Sequence, residues 1–346
     1  MDELDLALIN AVQLSPRASW AELAEPLETD PSTLSRRWAR LSADGEAWVT
    51  CYPGPPAVPT GAMAFIEVAC RAGGVTSVAE RLARHPHALN VEIVSGEYSV
   101  LVTAAAVSTQ ALSVYAMDVA AAVPGVRAVR LTPVARTASD GSHWRLDALD
   151  RGQQSAIGGS ARDGRRPVRS LAGEREVMLA LGEDGRMPYA QLSRRTGIPA
   201  NTLRRRLAEL LATQRLVLRC DTASSVAGWP VLVTVWLGVP AGEVHGVCAD
   251  LTAMPETRMA ATTAGRANAA AVLWLHRLED LHEWERRLAE AHPGAVVQDR
   301  LVTVRQVKRM GRLIGADGRG VGHVPMDVWA EPAEAGEGLS ALPSTG

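Results

Sequence analysis

Apolar positions recur at helical spacing three times near the start of the chain. Leu4, Leu8, Ile9 and Val12 share one face over residues 2–15, and Pro16 stops that helix. Ser19, with Glu22 three residues on, forms a capping box for a second helix over 20–28, which Pro26 shortens. Asp30 caps a third, with Pro31 at its first position, Leu34, Trp38 and Leu41 as its stripe and Gly45 as its end. A short β segment, 47–52, follows. The pattern then becomes a strand (62–70), a helix (74–86, stopped by Pro86), two strands (88–95 and 98–106) around the tight turn Ser95-Gly96-Glu97-Tyr98, a helix (109–122) and a last strand (126–135). The order βαββαβ predicts a ferredoxin-like, antiparallel sheet with helices on one face.

The whole pattern returns 169 residues later without a gap through the first part of each copy. Trp20-Ala-Glu-Leu23 falls on Tyr189-Ala-Gln-Leu192, Ser32-Thr-Leu-Ser-Arg-Arg37 on Asn201-Thr-Leu-Arg-Arg-Arg206, Cys51 on Cys220 and Gly96 on Gly265. So long a period means a duplicated domain pair. The fold class expected is α+β, with a winged helix-turn-helix (1–55), a sensor domain (60–136), a linker with a short helix (137–169), a second winged helix-turn-helix (170–225), a second sensor (229–310) and a disordered tail (311–346). Within the second copy, a helix ending at Gly197 precedes a helix whose apolar face holds Leu203, Leu207, Leu210 and Leu211, and which carries Arg204, Arg205 and Arg206 in a row. Two short helices with a glycine in the turn, the later one basic at its start, form the pattern of a helix-turn-helix DNA reader.

Composition changes this picture in a few respects. Net charge is −2, which excludes a general basic nucleic-acid coat, yet residues 199–219 hold five Arg and one acid. Lys308 is the only lysine. The cysteines (Cys51, Cys70, Cys220, Cys248) form no CxxC and the eight histidines no metal-ligand spacing, so reduced structural thiols, no metal and no cofactor are expected. The N-terminus is no signal peptide and no run is long enough to span a membrane, which points to a cytoplasmic protein. His85 and His87 flank Pro86 at a helix end, where interaction with the helix dipole is the plain reading.

The start of a reader helix enters the major groove, so its early polar residues reach base edges while basic neighbours hold phosphate. The candidates are Asn201, Thr202, Arg204, Arg205 and Arg206 in the second copy, with Arg215 and Arg219 on its wing, and Ser32, Thr33, Ser35, Arg36, Arg37 and Arg40 in the first. The first wing has no basic residue. An Arg-rich helix face is also an ordinary solvated surface, and Asn201 and Ser32 also read as helix-start residues.

The order of these parts resembles the Lrp/AsnC (feast/famine) transcription regulators. The matching residues are Leu4-Asp5, Ala21-Glu22-Leu23-Ala24, Pro31-Ser-Thr-Leu-Ser-Arg-Arg37 and the turn Ser95-Gly-Glu-Tyr98, with Ala227-Gly-Trp-Pro230 in the second half. The resemblance covers 1–310 as a fused, double-length form. It implies a regulator of double-stranded DNA, not an enzyme, with a small effector such as an amino acid or related metabolite bound at the sensor turns. It assigns Gly96, Tyr98 and Ser99, and by repetition Gly265 and Asn268, to that effector. Ser99 replaces the family's usual Asp, and the second turn lacks the Tyr. It also implies a homo-oligomer, or an intrachain pseudo-dimer with further association. Two alternatives stay open: a siroheme-decarboxylase-like enzyme, which needs His and Arg lining the sensor cavity, and an oligomerisation partner that does not bind DNA.

Overall fold

The computed structural model describes residues 1–158 and 173–332. In chain order the elements are α1 (Glu3–Leu14), α2 (Trp20–Ala24), α3 (Pro31–Ala43), β1 (Ala47–Pro53), β2 (Ala62–Cys70), α4 (Val75–Leu82), β3 (Ala88–Val94), β4 (Val100–Ala106), α5 (Thr109–Val114) and β5 (Val126–Ser139). Then come α6 (Arg151–Gly158), α7 (Glu174–Glu183), α8 (Tyr189–Thr196), α9 (Ala200–Ala212), β6 (Leu216–Thr222), β7 (Val231–Gly238), α10 (Val244–Leu251), β8 (Thr257–Thr263), β9 (Ala269–Leu275), α11 (Asp280–Ala291), β10 (Val296–Arg309), β11 (Arg312–Ile314) and β12 (Gly320–His323). Capping follows the expected chemistry: Ser19 and Glu22 close a capping box on α2, and the Asp30 side chain accepts from the Ser32 N–H at the start of α3. The helix expected to 122 leaves α geometry early, and Tyr115–Ala120 form π-helical turns.

The elements sort into two units. The reader unit comprises Met1–Pro59, Arg145–Ala227 and Arg319–Val321; the sensor unit comprises Thr60–Trp144, Gly228–Gly318 and the chain from Gly322.

In the reader unit, Leu8, Ile9, Val12, Leu23, Leu34, Trp38 and Leu41 form the first copy's core. Leu203, Leu207 and Leu210 are buried at matching positions of α9. A lone strand cannot satisfy its own backbone, so each copy's strand turns to the other. β1 and β6 pair antiparallel from Ala47 opposite Thr222 to Pro53 opposite Leu216. The middle pair, Thr50 opposite Arg219, joins two residues that are themselves equivalent in the repeat, so the ladder has a local two-fold. The expected linker is partly structured. α6 packs Ile157, with Leu149, into the first reader core, and the side chains of Asn10 and Gln13 accept from the backbone of Ala148 and Leu146. The Gly/Ser/Arg stretch of that linker, 159–169, lies outside the described residues.

In the sensor unit each copy is an antiparallel four-stranded sheet of the expected ferredoxin-like order, β5-β2-β4-β3 and β10-β7-β9-β8. The last strand of each copy is long enough to reach the other: β5 pairs β2 and then β8, and β10 pairs β7 and then β3. Val134 opposite Thr263 is the repeat equivalent of Thr303 opposite Val94, so these exchanges are reciprocal. Pairing of the two copies therefore happens within one chain. Helices α4 and α5 cover one core, α10 and α11 another. A third, shared core holds Phe65, Leu101, Trp236, Ala270 and Leu301, with Phe65 edge-on to Trp236 at 5.2 Å between ring centres.

The tail expected to be disordered from 311 is ordered as far as 332. β11 turns back on β10 through Met310 and Gly311, whose φ values of 43° and 81° are both left-handed, as a type I′ hairpin requires. Ile314, Met326 and Val328 are buried. Met-Gly lacks the Asn or Asp that marks such turns in sequence. Residues 333–346 of that tail lie outside the described residues.

The histidines at Pro86 also differ from expectation. Both are buried against Tyr115, at 5.8 Å for His85 and 5.0 Å for His87 between ring centres. Lys308 is fully buried beside them, its Nζ donating to the His85 carbonyl at 2.9 Å. Burial draws the His85 imidazole down to about 4 and the Lys308 ammonium down to about 7, so a charge-dipole role for His85 at neutral pH is excluded. The unfolded chain binds both protons more tightly than the native one. Stability therefore rises with pH from about 4 to about 6.5 through His85, and from about 7 to about 10.5 through Lys308. In denaturant titrations, Lys308→Met is expected to flatten the upper window, removing a slope of up to ~1.4 kcal/mol per pH unit.

Candidate DNA-reading helices and ligand cavity

The two reader helices have the same length and different electrostatics. On α9, Asn201, Arg204 and Arg205 are exposed and Thr202 and Arg206 half-buried. No carboxylate among the described residues pairs with Arg204 or Arg205, and the Arg204 guanidinium rests 5.3 Å from the Tyr189 ring centre. Asn201 is not spent on capping, because Pro199 occupies that position and no side chain caps the helix. On α3, Ser32 and Arg36 are exposed and Thr33 and Ser35 half-buried. Arg37 and Arg40, however, are held by acids of their own copy. Arg37 bonds Asp2 at 2.7 Å and Asp5 at 2.8 Å; Arg40 bonds Asp5 at 2.6 Å and Glu46 at 3.5 Å. Burial works against ionisation of Asp5, but the two guanidiniums outweigh it and hold its carboxyl below the usual range.

The wing arginines do not stand where sequence reading put them. Arg215 is buried and bidentate to Glu174 at 2.9 Å on each bond, and its third donor goes to the Pro56 carbonyl at 2.7 Å. Arg219 is buried against Asp221 two residues on, at 2.8 Å. Because β6 pairs with β1 instead of forming an open wing hairpin, these side chains face the inside of the reader unit. Both guanidiniums are held by acids inside the reader unit.

The sensor turns are likewise unequal. At the first, Gly96 has φ +104° with Leu301 packed 3.7 Å from where its Cβ would stand, and Tyr98 lies under Arg130 at 4.2 Å. The Ser99 carbonyl accepts from the Val94 N–H. Tyr98 is half-buried beneath that guanidinium. At the second turn Ala267 stands in place of Tyr98, and Thr132 in place of Leu301. These smaller side chains border a cavity of 390 Å³ lined by Glu67, Arg130, Thr132, Trp236, Arg266, Ala267, Gln298 and Asp299. Gly265 adjoins it, its Cβ position 3.1 Å from Thr132. Asn268 is not available to a ligand: its amide holds both the N–H and the carbonyl of Val239, at 2.8 and 2.7 Å.

Two guanidiniums and two carboxylates therefore face one cavity with an aromatic wall. Burial pushes the Glu67 carboxyl up, and the Arg130 guanidinium 3.4 Å away opposes that shift. Sequence reading missed Glu67, Arg130, Thr132, Trp236, Arg266, Gln298 and Asp299. Only Arg266, beside Gly265, carried a signal in sequence; the others meet through strand exchange between the copies. No histidine lines the cavity. Among the described residues no His/Cys/Asp/Glu group is arranged to hold a metal, and no helix is long and apolar enough to cross a membrane.

Residues 1–42 match the AsnC-type helix-turn-helix domain, 63–143 the Lrp/AsnC ligand binding domain, and 174–213 a winged helix-turn-helix DNA-binding domain. The HTH-type transcriptional regulator FL11 of Pyrococcus horikoshii is 27% identical over 138 residues, covering 40% of this chain and 91% of its own. Its namesake in Pyrococcus abyssi is 25% identical over the same length. Among solved structures, the siroheme decarboxylase NirDL superposes with a TM-score of 0.58 over 98% of this chain and 99% of its own, at 11% identity, a likeness of fold. Residues 1–143 thus carry the two domains of the Lrp/AsnC transcription regulators, an AsnC-type helix-turn-helix and an Lrp/AsnC ligand binding domain, and a second winged helix-turn-helix follows at 174–213.

Proposed function

We propose that the protein is a sequence-specific DNA-binding regulator in which α9 supplies most of the base and phosphate contact, and that a small zwitterion such as an amino acid modulates it from the sensor cavity. The observation that carries the first part is the exposed, carboxylate-free pair Arg204 and Arg205 at the start of a reader helix. Arg donates twice to guanine, and Asn201 beside them can pair twice with adenine. For the second part, Arg130 or Arg266 suits a carboxylate, Glu67 or Asp299 an ammonium group, and Trp236 an apolar side chain.

Gel shifts against the gene's own genomic neighbourhood are expected to show sub-micromolar binding that weakens steeply with salt as phosphate contacts are lost. Binding to no segment at any salt would overturn the DNA reading. For the cavity, titration with the common amino acids is expected to change the indole emission of the wild type for at least one of them. The change should disappear in Trp236→Phe and weaken at least tenfold in Arg266→Ala. Tetrapyrrole chemistry on the same frame is the competing reading. It predicts an absorbance shift on addition of an iron tetrapyrrole, whereas His276 stacks on Trp229 at 3.8 Å, His292 pairs with Asp250 at 3.1 Å, and neither lines the cavity.

A further inference from the structure

The loops preceding α2 and α8 hold each other by an exchange that sequence comparison alone does not reveal. Arg17 donates to the carbonyls of Gly185 at 2.6 Å and Met187 at 3.0 Å, and its guanidinium lies 4.8 Å from the Tyr189 ring centre. Arg186 donates to the carbonyls of Pro16 at 2.7 Å and Ala18 at 2.8 Å, and lies 3.9 Å from the Trp20 ring centre and 5.8 Å from that of Trp38. Apart from Trp38, every partner is the repeat equivalent of its counterpart: 17 with 186, 16 with 185, 18 with 187 and 20 with 189. The contact is thus isologous, the kind a two-fold dimer makes, though both sides belong to one chain.

We infer that Arg17 and Arg186 form a reciprocal clamp that sets the spacing and orientation of the two reader helices, so that the chain reads one composite site at one fixed spacing. The DNA consequence rests on the function proposed above; the clamp itself does not. The chemistry suits the role. A guanidinium offers a rigid fork for two carbonyls and a flat face for an aromatic ring, which an ammonium cannot do at once. Each arginine touches the segment that leads into the opposite copy's helix-turn-helix: Trp20 begins α2, and Tyr189 begins α8 and also receives Arg204 of the reader helix. The β1–β6 ladder joins the copies along a line, and a two-stranded ladder twists readily. The clamp adds a second attachment off that line. Because α3 and α9 carry different side chains, the composite site has two dissimilar halves.

The test uses the full chain with Cys70→Ser, the remaining native cysteines being buried, and spin labels at Ala39→Cys and Ala208→Cys, equivalent exposed positions on α3 and α9. Electron–electron distance measurement is expected to give one narrow distribution in this background and one at least twice as broad with Arg17→Ala and Arg186→Ala together. In parallel, selection from random 40-base-pair duplexes should enrich two dissimilar motifs at one spacing for the unlabelled wild type. For the double variant it should enrich the same motifs at several spacings, with at least tenfold weaker binding to the wild-type arrangement. An unchanged narrow distribution, or an unchanged single spacing, overturns the clamp. Should the double variant lose its circular-dichroism signal, Arg17→Ala alone and Arg17→Lys with Arg186→Lys are measured instead, and an unbroadened distribution in both overturns it equally. A wild type that enriches no duplex overturns the DNA reading and the composite site with it, and the distance measurement still decides the clamp.

Discussion

Arg204→Ala combined with Arg205→Ala is expected to lower DNA affinity on the order of 100-fold, and Arg36→Ala combined with Arg37→Ala by about tenfold or less. The asymmetry follows from what each guanidinium already holds. Arg204 and Arg205 stand exposed at the start of α9 with no acid among the described residues to be displaced. A contact to phosphate or guanine there costs only desolvation and side-chain order. Arg37 is held by both Asp2 and Asp5, and turning it toward DNA would leave Asp5, whose side chain is only 3% exposed, with Arg40 alone to offset its burial. Weakening a buried ion pair is costly, and Asp2 beside Arg37 would also repel phosphate. The two pairs should differ in a second readout. Loss of Arg204 and Arg205 should reduce the slope of log affinity against log salt by about 2 with an unchanged melting curve. Loss of Arg37 should instead lower the melting temperature of the reader unit. Equal affinity losses, or a larger one from the first pair, would overturn the ranking of the readers while leaving the family assignment in place.

What sequence revealed and what it hid divide along a physical line. Helix faces, caps and the repeat were legible because they depend on neighbours three or four residues away: Asp30 with Ser32, Ser19 with Glu22, the Leu stripe of α9. The strand segments were legible too, but not their partners. Nothing local in Ala47–Pro53 says that it pairs with Leu216–Thr222. That single pairing turns Arg215 and Arg219 inward, so an arginine on a short strand reads the same in sequence whether it meets solvent or a buried acid. The cavity was hidden for the same reason. The replacements of Tyr98 by Ala267 and of Leu301 by Thr132 are visible in the repeat, but the space they border at the second turn depends on the reciprocal strand exchange. The candidate residues that stand exposed, Asn201, Arg204 and Arg205, lie on a helix whose orientation is set by its own apolar stripe.

Arg215→Ala should destabilise the reader unit by about 3–5 kcal/mol while leaving the intrinsic DNA affinity of the folded fraction within a few-fold of wild type. The size follows from burial on both sides. Glu174 is 7% exposed and Arg215 8% exposed, joined by two hydrogen bonds of 2.9 Å, so truncation takes both guanidinium bonds from a buried carboxylate. The Pro56 carbonyl loses its donor as well. An open-wing reading of Arg215 predicts the opposite result, a loss of DNA affinity with normal stability. The two are separated by denaturant titration followed by binding assays at a temperature where the variant remains folded. Adding Glu174→Gln to Arg215→Ala tests the cause. Removing the buried charge should recover about half of the lost stability, since an amide is far cheaper to bury than a carboxylate. If Glu174→Gln recovers nothing, the cost lies in lost packing of the arginine stem and the lost Pro56 bond, and the ion pair is not what holds α7 to β6.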